Sequence, residues 1–481
     1  MRHVHRWQSW FSQANTGPAM RAKPTITATF ALLLAGAAQA LAATLPIPPA
    51  GVIGVRDDML AAGYWVAKAP ASSAVILTPA QIAAENARLF AIDPSVYDLR
   101  KLARSLPRAQ VAAWIGKLSK LPKRTLLDAH NQPIPQPVLQ SVVANLALDR
   151  IPDTAPTRYG LAIRRTALRS FPTSLRVFTE PDNQDIDRFQ ESALFPGDPV
   201  VVAHTSADGK YLFVVSPRYA AWVDRTAIAE GTVSQVLSYG ETAPFRIVTG
   251  AQIRTVFNPD VPAVSELALD MGTRLPLADI PAGQKVNGQG ASESWVLQLP
   301  TRAANGAVQL QPALLPRTAD SAPTALPLTQ ANIIRQAFKF LGERYGWGDD
   351  YNGRDCSGFV SDVYRSMGVQ MPRNTGDQAN SPALPHRLFT ARDTHADRVA
   401  AIAAANIGDL VYIPGHVMMI IGFENNEPYV IHDTGGLMFK DGAGRLHTTG
   451  TNEVTLSPLL PLLTRDGRAY VDVMTSLVQI R

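Results

Sequence analysis

The sequence predicts a multidomain chain: a helical N-terminal domain, two small all-β barrels, and a C-terminal α+β domain. Three changes of texture predict it. Residues 78–148 carry apolar side chains at helical spacing, residues 160–316 carry short β-type runs broken by turn signals, and the residues beyond 330 carry helical periodicity first and strands after. The 481 residues have room for about three domains. With 46% hydrophobic and 18% charged residues the chain is globular in composition, which excludes a wholly disordered or collagen-like protein.

The N-terminus reads as an address. Residues 25–38, TITATFALLLAGAA, contain no charge, follow Arg21 and Lys23, and precede the small-residue steps Ala38-Gln39-Ala40 and Ala40-Leu41-Ala42. That order describes a secretory signal peptide over 1–42, with Met20 an alternative start and an uncleaved anchor the alternative reading. The run is too short to span a bilayer, which takes about 20 apolar residues, so no stable membrane span is expected after signal cleavage. The expected location is periplasmic or secreted. The net charge is +5, and the first 42 residues hold four of the basic residues (Arg2, Arg6, Arg21 and Lys23) and no acid, which leaves +1 for the rest. A nucleic-acid partner needs a concentrated basic face, and none is expected.

Each domain is justified in turn. Residues 43–155 are expected to be a helical cap. Its first part, 43–77, looks extended. Thr78-Pro79 then starts a helix through Ile82, Leu89 and Phe90, and further helices cover 107–119 and about 136–148. Residues 156–230 form the first expected barrel, where Asp208-Gly209 between Val200–Val202 and Tyr211–Val215 marks a hairpin. Residues 231–320 form the second barrel and a Pro/Ala/Thr linker (317–328). Trp222 and Trp295 are expected in the barrel cores. Residues 321–481 form the α+β domain: helices at 330–343 and from Cys356, then strands at Leu410–Ile413, Val417–Phe423 and Tyr429–Ile431.

The chemistry falls to Cys356, the single cysteine, which excludes an intrachain disulfide framework. It stands where a Gly/Asp-rich loop becomes a helix. There the free N–H groups and the macrodipole favour a thiolate, and the same N–H groups can hold an oxyanion. A lone cysteine is otherwise a small buried apolar residue, but Asp355 and Ser357 flank this one. His416 begins a strand run and His432 ends the next, so one imidazole can take the thiol proton while the other orients it. No H-E-x-x-H occurs, and neither a metal nor a cofactor is expected. His386, His395 and His447 lie in polar segments and read as surface residues. Asp187 and Gln190 are candidates to reach the cleft from the first barrel.

The strings RDCSGFVSDVY (354–364), PGHVMMIIG (414–422) and YVIHD (429–433) resemble the NlpC-type cysteine peptidases that cut bacterial cell-wall peptides, as do Tyr345-Gly346-Trp347-Gly348 and Gly408-Asp409-Leu410-Val411. The upstream part resembles a subgroup in which a helical cap and two bacterial SH3-like barrels precede a papain-like peptidase domain. ALRSFPTS, DRFQESALFPGDPV and SADGKYLFVV carry that resemblance for the first barrel.

The resemblance implies a γ-D-glutamyl-L-diamino acid endopeptidase acting on peptidoglycan fragments or stem peptides. Cys356 would be the nucleophile, His416 the base and His432 the orienting residue. Asp355 and Ser357 would contact the substrate's amino end, and Tyr345 would support the oxyanion site. Arg373, Asn374 and Thr375 would form a substrate-site segment that usually reads Pro-Arg-Asp-Ser. Asn374 replaces an acid there, which weakens the case for strict selection of a free amino terminus. The alternatives are a cell-wall-binding protein with a silent peptidase domain, and an amidase or acyl transferase on another amide or thioester.

Overall fold

Val200, Val201 and Val202 form an unbroken apolar run because their strand is covered on both faces. Val200 and Val202 pack inside the barrel with Leu168, Leu212 and Val214, and Val201 packs outward with Leu106, Val111 and Ile115 of the helical segment. This strand belongs to a seven-stranded antiparallel sheet in the order Ile228–Gly231, Arg158–Ala162, Pro199–Thr205, Tyr211–Val215, Ala220–Asp224, Thr166–Arg169, Gln190–Leu194. The hairpin at Asp208-Gly209 is present, with Gly209 at φ +71°. The computed structural model describes residues 51–281, 283–440 and 445–481, so the expected signal peptide lies outside the described residues.

Among the described residues, the segment read as a helical cap has no core of its own. Its second half, helices Arg108–Leu118 and Gln136–Ala144, packs on the first barrel around the fully buried Trp222. His204 of the barrel meets the carbonyls of Leu146 and Ala147 at 3.1 Å. Its first half packs on the C-terminal domain instead. Residues 51–77, expected to be extended, contain the helix Ala62–Lys68, whose Trp65 is fully buried in the C-terminal core. Trp65 lies against Gly422, where a Cβ would sit 2.5 Å from the indole ring. The sequence hides this because the helix is only seven residues long, too short for a periodic signal.

The second β unit is built on the hairpin Ser294–Arg302/Val308–Pro316 and the short sheet of Phe245–Val248, Arg274–Pro276 and Ser321–Ala322. Two strands therefore interrupt the expected linker: Ser321–Ala322 pairs with Phe245–Val248, and Leu328–Thr329 pairs with Val75–Leu77. Trp295 departs from its expected core position. It is partly exposed, with the guanidinium groups of Arg246 and Arg317 at 4.3 and 4.2 Å from its ring.

The C-terminal domain stacks the helices Gln330–Phe338 and Cys356–Arg365 on a six-stranded sheet. Its strand order is His386–Leu388, Ser476–Val478, Leu410–Ile413, His416–Glu424, Glu427–Thr434, Glu453–Pro458. Asn425 and Asn426, at φ +52° and +66°, turn the central hairpin. Its register opposes Met419 to Ile431, which sets His416 and His432 on diagonally adjacent positions of neighbouring strands.

Candidate active site

Cys356 is the first residue of its helix, and Asp355 is the N-cap. The Asp355 carboxylate accepts from the Gly358 N–H at 2.8 Å and from the Ser357 hydroxyl at 2.9 Å. The cap occupies the third N–H of the helix. The N–H groups of Cys356 and Ser357 have no intrahelical carbonyl to bond and stay at the helix end, where an oxyanion can be held.

A cleft of about 790 Å³ opens over this end. Cys356, Tyr345, His416 and Asp433 line it from the C-terminal domain, and Asp182, Asn183, Asp185 and Ile186 line it from the first barrel. The barrel thus reaches the cleft through the 182–186 loop and not through the residues singled out from the sequence. Asp187 stays in the barrel, 2.9 Å from Arg169, and accepts from the N–H groups of Val177 and Phe189. Gln190 works behind the cleft: its side-chain amide donates to the Gly348 carbonyl at 2.8 Å, and its main-chain carbonyl accepts from the Trp347 indole at 3.1 Å.

His416 and His432 form a chain. The His416 Nε2 and His432 Nδ1 atoms are 2.8 Å apart, and His432 Nε2 is 3.0 Å from the Ser457 hydroxyl. With His416 Nε2 engaged, Nδ1 is the nitrogen left for a thiol proton. That role requires the Nε2–H tautomer of His416, which donates to His432 Nδ1, so that His432 donates from Nε2 to Ser457. Burial pushes the His416 pKa down to about 4 and drives that of His432 down as well. Burial, reinforced by Asp355, pushes the Cys356 thiol well up. At neutral pH the resting pair is therefore thiol and neutral imidazole, and proton transfer must accompany attack.

Arg373 is the hub behind the nucleophile. It donates from Nε to the Ser192 hydroxyl (2.7 Å), from one terminal nitrogen to Asp355 (3.0 Å) and Ser357 (2.9 Å), and from the other to Asp355 (2.9 Å), and that second nitrogen lies 3.0 Å from Asp349. Asp355 also accepts from the Gly348 N–H at 3.2 Å, which brings its bonds to five. The polar side-chain atoms of Asp355 and Ser357, expected to contact a substrate's amino end, are bonded to the cap and to Arg373.

Tyr345 does line the cleft, and burial raises its phenol. Asn374 lines a separate cavity of about 290 Å³ with Tyr97, Glu191, Tyr219 and Asp377. Thr375 follows it as the first residue of a short helix and lines neither cavity. His395 is exposed beside Asp472, His386 is half-buried, and exposed His447 stacks on Phe439.

Sequence reasoning missed Ser457, Asp349, Ser192, Asp433 and the 182–186 loop. Only Asp433, next to a singled-out histidine, carried a local signal. The others matter through tertiary contacts.

Residues 342–458 match the NlpC/P60 family, and residues 176–224 match the SH3 domain of SH3b1 type. The chain carries an NlpC/P60-family domain behind an SH3b-type domain. Over 118 residues it is 32% identical to the probable endopeptidase p60 of Listeria welshimeri, covering 24% of this chain and 22% of that protein. Over 67 residues it is 37% identical to the gamma-D-glutamyl-L-lysine dipeptidyl-peptidase of Bacillus subtilis, covering 14% of this chain and 23% of the relative. The chain thus spans under a quarter of the length of these curated relatives. An NlpC/P60 endopeptidase structure from Photobacterium damselae subsp. piscicida superposes with TM-score 0.66 at 17% identity, over 85% of this chain and 94% of that one. That likeness extends the shared fold well beyond the NlpC/P60 domain.

Proposed function

We propose that this protein is an exported cysteine endopeptidase that hydrolyses the amide between D-γ-glutamate and a diamino acid in peptidoglycan stem peptides. The observation that carries the reading is the Ser457–His432–His416 chain, with its terminal imidazole in the same cleft as Cys356 at the helix start. The printed name of the Bacillus subtilis relative supports the bond chosen. The 182–186 loop of the first barrel walls one side of the cleft, which favours small peptides over intact wall.

In this reading the Cys356 sulfur attacks the γ-carbonyl carbon as its proton passes to His416 Nδ1. The carbonyl oxygen becomes an oxyanion held by the helix-end N–H groups, with Tyr345 at the same wall. Collapse breaks the C–N bond, and the departing amine takes the proton from His416. Water, deprotonated by the same imidazole, then cleaves the thioester and restores the thiol. His432, held by Ser457, fixes the His416 tautomer throughout.

The test is product mass spectrometry on L-Ala-γ-D-Glu-diaminopimelate, with and without an acetylated amino terminus. Release of the diamino acid by the wild type and not by Cys356→Ala supports the reading. Equal cleavage by both proteins overturns the assignment of the nucleophile.

A further inference from the structure

One buried acid in the cleft is not used by the mechanism above. Asp433 follows His432 on the strand Glu427–Thr434, so its side chain leaves the opposite face of the sheet and turns towards the cysteine helix. It is fully buried, it lines the cleft with Cys356, Tyr345 and His416, and neither carboxyl oxygen has a hydrogen-bond partner among the described residues. It cannot serve as the acid of the histidine chain, because His432 is already held by His416 and Ser457. A buried carboxyl without a donor is costly, and natural structures rarely keep one idle.

The charged and titratable groups that act on it include Asp355 at the helix cap, Glu343, Asp349 and Arg354 of the loop before it, and Tyr345 and Cys356 at the cleft. The one cation among these, Arg354, is spent on Asp270 (2.9 Å), Glu343 (2.7 Å) and Asp362 (2.7 Å). Burial, reinforced by Asp355 and Glu343, raises the Asp433 carboxyl well above the ordinary carboxylate range. Asp182 and Arg465 line the rim of the same cleft, and Asp185 beside them is paired with Arg344. A buried carboxyl at the cleft wall with no donor of its own fits a cationic donor from a ligand.

We propose that Asp433 seats the side-chain ammonium of the diamino acid on the leaving side of the scissile bond. The inference rests on the peptidase reading for the identity of that cation. On binding, Asp433 gives its proton to solvent and its carboxylate accepts hydrogen bonds from the ammonium, so binding of a cationic substrate releases a proton.

The experiment uses the full chain carrying Cys356→Ala, which keeps Asp433. L-Ala-γ-D-Glu-L-Lys and the same peptide ending in L-norleucine, which lacks the amine, are titrated by calorimetry at neutral pH in two buffers of different ionisation enthalpy. The lysine peptide is expected to bind at least about tenfold more tightly and to release up to about one proton, while the norleucine peptide releases none. In parallel, the ratio of kcat/KM for the two peptides is measured with the wild type and with Asp433→Asn, and it should collapse towards unity in the variant. If Asp433→Asn does not fold, the calorimetric comparison still decides.

Equal binding without proton release overturns the proposal. So does proton release that vanishes on acetylating the amino terminus but persists with norleucine, because Asp433 then reads the other amine. Selective lysine binding without any turnover by the wild type sinks the peptidase reading and leaves this one standing. Neither binding nor cleavage sinks both.

Discussion

Replacing Arg373 by lysine keeps the charge and removes the fork. Arg373 meets acceptors on Ser192, Ser357, both oxygens of Asp355, and Asp349, all within 3.0 Å, and its side chain is 2% exposed. An ammonium has three donors, so at least two of these buried acceptors lose their partner, at about 1–3 kcal/mol each. Asp355 keeps its bonds to Gly358 and Ser357, which places the loss at the lower end, about 2–4 kcal/mol. For about 430 folded residues the unfolding entropy is roughly 0.9 kcal/mol/K, so Arg373→Lys should lower Tm by about 2–4 °C in a single transition. Because Asp355 caps the helix that starts at Cys356, kcat should fall as well. Thermal unfolding by circular dichroism and steady-state hydrolysis read the two effects. A Tm within about 1 °C of wild type, with full activity, would refute the idea that the fork sets the helix start.

Other outcomes follow from the same geometry. His416 must be neutral to take the thiol proton, and its pKa is lowered to about 4 from 6.5, so the acid limb of kcat/KM should lie well below pH 6.5. An acid limb at or above that value contradicts the buried imidazole. Ser457→Ala removes the partner of His432 Nε2 and should cut kcat by up to about tenfold with KM little changed. An unchanged kcat would mean that the tautomer is set elsewhere. Gly422→Ala puts a methyl 2.5 Å from the Trp65 ring and should cost about 1–3 kcal/mol while exposing residues 51–77 to proteolysis. Unaltered stability and cleavage would show that this segment does not belong to the domain's core.

Parts of this arrangement were legible in the sequence for physical reasons. A Gly/Asp loop running into an apolar helical stripe announces a helix start, and Cys356 stands on it. His416 begins one strand run and His432 ends the next, so pairing of the two strands brings the imidazoles side by side. The capping role of Asp355 also had a local signal, because an acid three residues before Gly358 at a helix start is a capping pattern. The Arg373 hub, the Ser457 contact and the 182–186 loop depend on partners up to about 180 residues away, as in the Arg373–Ser192 bond, and no spacing rule reaches that far. The segment 51–77 was misread because a seven-residue helix with one buried tryptophan gives no period.

The central claim is that Cys356 carries the acyl group. Intact-mass analysis of the enzyme, acid-quenched during turnover of L-Ala-γ-D-Glu-L-Lys and followed by peptide mapping, tests it directly. The account predicts an L-Ala-γ-D-Glu adduct confined to the peptide containing Cys356, released by hydroxylamine and absent from Cys356→Ala. Turnover with no adduct in the wild type, together with retained turnover in Cys356→Ala, would contradict it.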